Sequence, residues 1–225
     1  MVGAGALLEC LDDARVTSVL AIVRRPTGVR HPKLREIVHQ DFYGYRSLAA
    51  EFAKCDACFF CLGVSAVGLS EEVYAHQTYD LTLAAARALV AAAPRAVFCY
   101  VSGQSTDETE RGRVMWARVK GKTENAIRAL PFRASYMLRP GYIQPLRGVR
   151  SSTTWYQLFY TVFRPLHPLL RRVAPGHVTT TVNVGRALIR LAAVGDDRAI
   201  LESADINRLA EAAESRSTGT AGSTH

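Results

Sequence analysis

Short apolar runs and amphipathic runs alternate through the first 145 residues, and no other feature of the sequence constrains the fold as tightly. The strand-like runs are "VTSVLAIVRR", part of "HPKLREIVHQDF", "DACFFCLG", "AVFCYVS" and "RASYMLRPGYI". Before and between them lie the helix-like runs "ALLECLDD", "YRSLAAEFAKC", "SEEVYAHQTYDLTLAAARALVAAA" and the segment that carries Trp116. Repeated strand–helix alternation predicts an α/β fold, a doubly wound parallel sheet covered by helices on both faces. The long helix should begin at Ser70, a hydroxyl cap, with Glu71 and Glu72 in its first turn, where acidic groups favour the helix dipole. "DACFFCLG" is nearly continuous in apolar residues and reads as a buried strand.

After about residue 145 the rhythm breaks. "TTWYQLFYTVFRPLHPLLRRVAP" is aromatic and interrupted by Pro, "TVNVGRALIRLAAV" reads as a helix, and "RAILESADI" as a closing strand. The expected organisation is a sheet part over 1–145, a small C-terminal helical part over 146–211 that covers the substrate, and a disordered polar tail over 212–225.

Composition removes several function classes. No apolar run approaches the roughly 20 residues that span a bilayer, and the N-terminus lacks the basic flank of a signal peptide. The formal charge of +8 comes from Arg scattered along the chain rather than clustered, so no nucleic-acid partner is expected. The aromatic and Arg-rich stretch 155–172 leaves docking on a membrane surface open beside its reading as a substrate cover. The five Cys without a secretory context argue for a reducing, cytoplasmic setting. Cys55, Cys58 and Cys61 have C-x2-C-x2-C spacing, but the last two sit inside an apolar run and read as small core residues, with no metal expected.

In a dinucleotide-binding fold the first strand ends in a Gly-rich turn that brings backbone N–H groups to a pyrophosphate at a helix N-terminus. Here "MVGAGALLECL" looks like the second half of such a turn, with Gly3 as the glycine that packs the helix close to the sheet. No strand precedes it, so the expectation is a sheet without its first strand and a true start upstream of Met1. At the end of the next strand, Arg24 and Arg25 stand where an acidic residue would bind the ribose of NAD. An Arg there can pair with the 2′-phosphate of NADP.

Taken together, these residues resemble the atypical short-chain dehydrogenase/reductase superfamily, in particular its small epimerase-like members related to Tat-interacting protein. The resemblance rests on "VGAGALLECL", "AIVRRP", "QDF", "CLGVSA", "YVSGQSTD", "KGKTE" and "RPGYIQP". It implies an NADP cofactor before NAD, selected by Arg24 or Arg25. It further places Asp41 near adenine and Leu62, Gly63 and Val64 along the adenosine and nicotinamide ribose. Ser102 would hydrogen-bond a substrate carbonyl, and Lys120 would hold the nicotinamide ribose. The small-molecule substrate and the oligomeric state stay unnamed.

The family's Tyr-x-x-x-Lys pair is altered, for Trp116 stands four residues before Lys120. Indole donates a hydrogen bond but offers no second protonation state, so it cannot exchange the proton that accompanies hydride transfer. Two functions follow. One is an NADPH-dependent reductase of a small carbonyl with a relocated acid, for which Tyr142, Ser102 or a bound water is the candidate. The other is a cofactor-binding sensor or interaction module without turnover.

Overall fold

The computed structural model describes residues 1–148 and 175–219. The aromatic stretch 155–172 and the end of the expected tail lie outside the described residues.

In chain order the strands are β1 (Val19–Val23), β2 (Leu34–Val38), β3 (Ala57–Phe60), β4 (Val97–Val101), β5 (Ala134–Arg139), β6 (Tyr142–Gln144), β7 (Val178–Thr180) and β8 (Ile200–Glu202). The helices are α1 (Val2–Asp12), α2 (Ala49–Phe52), α3 (Glu71–Ala75), α4 (Leu81–Ala92), α5 (Met115–Arg128), α6 (Thr181–Ala193) and α7 (Ser203–Gly219). The alternation read from the sequence is therefore present, and all strand pairs are parallel.

The sheet is divided. β1 pairs with β2, Val19 opposite Leu34 and Val23 opposite Val38. A separate sheet has the order β3-β4-β5-β8, and β6 pairs with β7. In a doubly wound sheet of order 3-2-1-4-5-6 the first strand lies between the second and the fourth, which here are β1 and β3. Among the described residues no strand joins those two edges. The open edge shows in the burial. All of β1 and most of β3 are only half-buried, whereas β4 is buried along nearly its whole length. The expectation of a buried strand at "DACFFCLG" thus holds only for Phe60, because β3 has a neighbour on one side alone.

Strand parity splits the core. Phe98 and Tyr100 of β4 face a cluster with Phe42, Phe52, Phe60 and Leu89, which Ile22 and Ile37 of the small sheet join. Val97 and Cys99 face the opposite cluster with Ala6 of α1, Val184 and Leu188 of α6, and Leu209 of α7. α1 packs closely along α6. A Cβ placed on Gly5 would stand 2.7 Å from Thr181 Cβ, so a larger residue there would push the helices apart. Buried Glu9 on α1 accepts hydrogen bonds from Arg147 at 2.8 Å and Arg186 at 3.2 Å and so ties α1 to α6 and to the chain after β6.

Two segments differ from the sequence reading. The long helix contains a π-helical turn, His76–Asp80, between α3 and α4. Its predicted cap is present, with Ser70 Oγ accepting from Val73 N. At the C-terminal end, β8 stops at Glu202 and α7 runs on to Gly219, past the point where composition predicts a disordered tail. The stretch "RLAEAAES" is rich in Ala and Glu, which favour helix. No helix among the described residues is long and apolar enough to cross a membrane.

Candidate functional site

Ligands of open parallel sheets bind beyond the carboxyl ends of the strands, and two cavities lie there. The larger, about 510 Å³, is bounded by Met1 and Val2, Cys61–Gly63 after β3, Val101 at the end of β4 and Ser102–Gln104 after it, Trp116 of α5, and Pro140, Gly141 and Ile143 after β5. The smaller, about 300 Å³, is bounded by Arg24, Gln40, Phe42, Tyr43, Val64, Gln77 and Leu81. The turn 61–64 after β3 borders both.

Each element brings its residue for a local reason. Gly3 lies in the first turn of α1, and a Cβ on it would stand 3.3 Å from Cys61 Cβ, so its bareness lets the helix start approach the end of β3. The first intrahelical donor is Gly5 N, which bonds to Met1 O at 3.1 Å, and no side chain caps the helix. The earlier N–H groups therefore have no partner within the helix. Arg24 leaves the end of β1 with its guanidinium 5.4 Å above the Phe42 ring and borders the smaller cavity. Arg25 is exposed and does not border it. Asp41 is exposed and turns back on its own loop, Oδ1 accepting from Tyr43 N at 3.0 Å, while its neighbours Gln40 and Phe42 face the cavity. Leu62 and Gly63 border the larger cavity and Val64 the smaller.

The predicted catalytic residues separate. Trp116 faces the larger cavity. Ser102 borders it, but its hydroxyl is turned inward, donating to Glu124 Oε1. Lys120 Nζ donates to the backbone carbonyl of Ser102. Burial lowers the Lys120 pKa to about 8, against the attraction of Glu124 one turn further on. Tyr142 does not border the cavity, although Gly141 and Ile143 on either side do. The period-2 alternation of β6 sends its side chain elsewhere, and burial raises its phenol pKa.

Two residues that sequence reasoning passed over organise this floor. Glu124 is fully buried and accepts from Arg139 Nε at 3.1 Å and 3.2 Å on its two oxygens. Burial opposes the charge on Arg139, but the hydrogen bond to Glu124 and the negative charges of Glu124, Glu108 and Glu202 together outweigh it and raise its pKa. The only signal in the sequence was the i,i+4 placement of Glu124 after Lys120. Among the described side chains that border the larger cavity, Cys61 alone is ionisable, and burial pushes its thiol up to about 12. The cavity thus offers apolar and hydrogen-bonding contacts, without an acid or base side chain in its lining that works near neutral pH.

Neither the protein-family models nor the curated protein sequences contain a match to this chain. Solved structures do match. A short-chain dehydrogenase from Burkholderia cenocepacia J2315, in complex with NADP, aligns with a TM-score of 0.60 and 16% identity over 100% of this chain and 93% of that one. ADP-L-glycero-D-manno-heptose-6-epimerase from Helicobacter pylori aligns at 0.62 and 12% identity, over 96% and 77% of the two chains. A short-chain dehydrogenase/reductase superfamily protein from Agrobacterium tumefaciens with bound NAD aligns at 0.59 and 11%, over 98% and 96%. The parallel strand order, the two cavities at the strand ends and these alignments together give the chain the Rossmann-like fold of short-chain dehydrogenases and NAD-dependent epimerases.

Proposed function

We propose that this protein binds NADP(H) across the two cavities and that it acts as a dinucleotide-responsive binding protein rather than an efficient carbonyl reductase. The observation that carries this reading is the turn 61–64, whose successive residues border the larger cavity and then the smaller, so that one extended ligand would lie along it between Arg24 and Trp116. The residues present fit the group. Arg24, which borders the smaller cavity, would pair with a 2′-phosphate, and the N–H groups at the start of α1 without a helical partner would suit a pyrophosphate. Leu62, Gly63 and Trp116 give an apolar wall for a flat ring. When bound, NADPH supplies a hydride. Reduction of a carbonyl also needs a proton at its oxygen. Trp116 cannot give one, the Ser102 hydroxyl is held by Glu124, and Tyr142 stands outside the lining. These facts favour binding over turnover.

The test is titration of the protein with NADPH and with NADH by calorimetry. NADPH should bind more tightly by about 10- to 150-fold, the range expected for one charge-assisted phosphate contact. Arg24→Ala should remove the preference and Arg25→Ala should leave most of it, since only Arg24 borders the cavity. Equal affinities in the unaltered protein would refute the reading.

A further inference from the structure

Among the described residues, four with polar side chains border the smaller cavity, and three of these side chains already have a partner. Arg24 lies over the Phe42 ring. Gln40 donates from Nε2 to Arg24 O at 3.2 Å. Tyr43 donates from its hydroxyl to His76 O at 3.3 Å, and its ring stacks on the His76 ring with centroids 4.6 Å apart. The fourth is half-buried Gln77, whose side-chain amide has no hydrogen-bond partner among the described residues. It stands on the π-helical turn His76–Asp80, a rare geometry that occurs mostly at functional sites. The Tyr43–His76 stack fastens that turn to the loop after β2, so Gln77 shares one built recess with the apolar walls of Phe42, Val64 and Leu81. Asp41, the acidic candidate on the same loop, is turned away and holds Tyr43 N instead.

Building on the dinucleotide reading above, on which this inference rests, we propose that Gln77 reads the base end of the ligand and accepts 6-amino and 6-oxo purines alike. A primary amide carries a donor and an acceptor side by side. Adenine offers the complementary pair along one edge, with N6–H donating to Gln77 Oε1 and N1 accepting from Gln77 Nε2. Hypoxanthine offers O6 and N1–H at the same two places with the roles exchanged. Half a turn of the amide about its last torsion, which is broad and two-fold, restores both bonds. A neighbour that pinned the amide would select one of the two bases, and among the described residues Gln77 has no such neighbour. The apolar walls take the faces of a purine without reading its edge. A base whose N1 and N6 are both blocked would leave the amide unpaired in a half-buried place, which weakens binding.

The experiment titrates the full chain by calorimetry with three ligands: NADP, its hypoxanthine analogue, and 1,N6-etheno-NADP, in which a fused ring closes over N1 and N6. NADP and the hypoxanthine analogue should bind within about threefold of each other, because each base makes two neutral hydrogen bonds to the amide. Etheno-NADP should bind about tenfold more weakly than either, the loss expected for one two-bond contact. In Gln77→Leu, shown by circular dichroism to be folded, NADP and the hypoxanthine analogue should weaken to the level of etheno-NADP, while etheno-NADP itself changes little. A tenfold ratio that survives in Gln77→Leu would trace to the bulk of the added ring and overturn the inference. So would etheno-NADP binding as tightly as NADP to the unaltered protein, or a preference of tenfold or more between adenine and hypoxanthine. In those cases NADP still binds and the dinucleotide reading stands. If none of the three binds, that reading falls and this inference with it. Should Gln77→Leu fail to fold, the three affinities of the unaltered protein decide by themselves.

Discussion

Gly121 lies on α5 directly under Asp107 and Glu108 of the loop that follows β4, and replacing it with Ala tests how that loop is held. A Cβ at Gly121 would stand 1.7 Å from Asp107 O, 2.4 Å from Asp107 C and 2.9 Å from Glu108 N. All three are backbone atoms, so no rotamer change relieves the clash. Restoring ordinary contact requires the loop to retreat by about 1.7 Å. That movement would break the 3.1 Å bond from Asp107 N to Ala117 O and the 2.9 Å bond from Asn125 Nδ2 to Glu108 O. Overpacking costs about 1–3 kcal/mol, and each lost hydrogen bond about 1 kcal/mol more. The expected total is about 3–5 kcal/mol, a large part of the 5–15 kcal/mol that holds an ordinary domain. For a chain of this size it corresponds to a fall in Tm of about 6–20 °C. Thermal unfolding followed by circular dichroism measures it, with Asn125→Ala as a milder companion expected to cost about 1–2 kcal/mol. A Gly121→Ala protein melting within about 2 °C of the unaltered one would show that the loop does not rest on the helix as described.

Three further outcomes follow from the same site. Trp116→Tyr places a phenol four residues before Lys120 and should create slow NADPH-dependent reduction across a panel of small carbonyls. A folded variant that binds NADPH yet reduces none of them would remove the transferred proton-donor position. Glu124→Ala leaves buried Arg139 with only the longer, 3.6 Å pair to exposed Glu108 and should lower stability by about 3 kcal/mol in urea unfolding, whereas a loss below about 1 kcal/mol would mean that the Glu124 pair is dispensable. Lys120 has a folded pKa of about 8, below its unfolded value, so between about pH 8 and 10.5 the unfolded chain binds the extra proton. Stability relative to Lys120→Met should therefore rise with pH through that window, by at most about 1.4 kcal/mol per unit, and a flat or falling difference would contradict the burial assigned to this amine.

Much of the scaffold is legible in the sequence because it depends on local chemistry. Ser70 followed by two Glu marks a helix start, and the backbone N–H of Val73 meets the Ser70 hydroxyl as that pattern implies. The order of apolar runs implies a parallel sheet, and every strand pair among the described residues is parallel. Legibility ends where a residue's role is decided by a distant partner. Glu124 reads as one more charge in "KGKTE", and only Arg139, arriving on β5, makes it a buried carboxylate. Arg24 and Arg25 are equivalent as letters, and Phe42 from the next crossover distinguishes them by stacking under one guanidinium. Tyr142 illustrates a different gap. Strand parity alone would have set it apart from Gly141 and Ile143, but a three-residue strand is too short to announce itself in the sequence.

The division of the sheet has a mechanical side. Arg24 departs from β1, whereas Trp116 and Ser102 are carried by elements around β4. A continuous ladder of backbone hydrogen bonds would set the span between them as a ruler does. Among the described residues no such ladder crosses from β1 to β3, and side-chain packing by Ile22, Ile37 and the phenylalanine cluster resists sliding in its place. Apolar contacts are non-directional and yield to small shear far more readily than a row of hydrogen bonds. A molecule held by both Arg24 and Trp116 would therefore bridge the two sheets where, among the described residues, packing rather than a hydrogen-bonded ladder joins them.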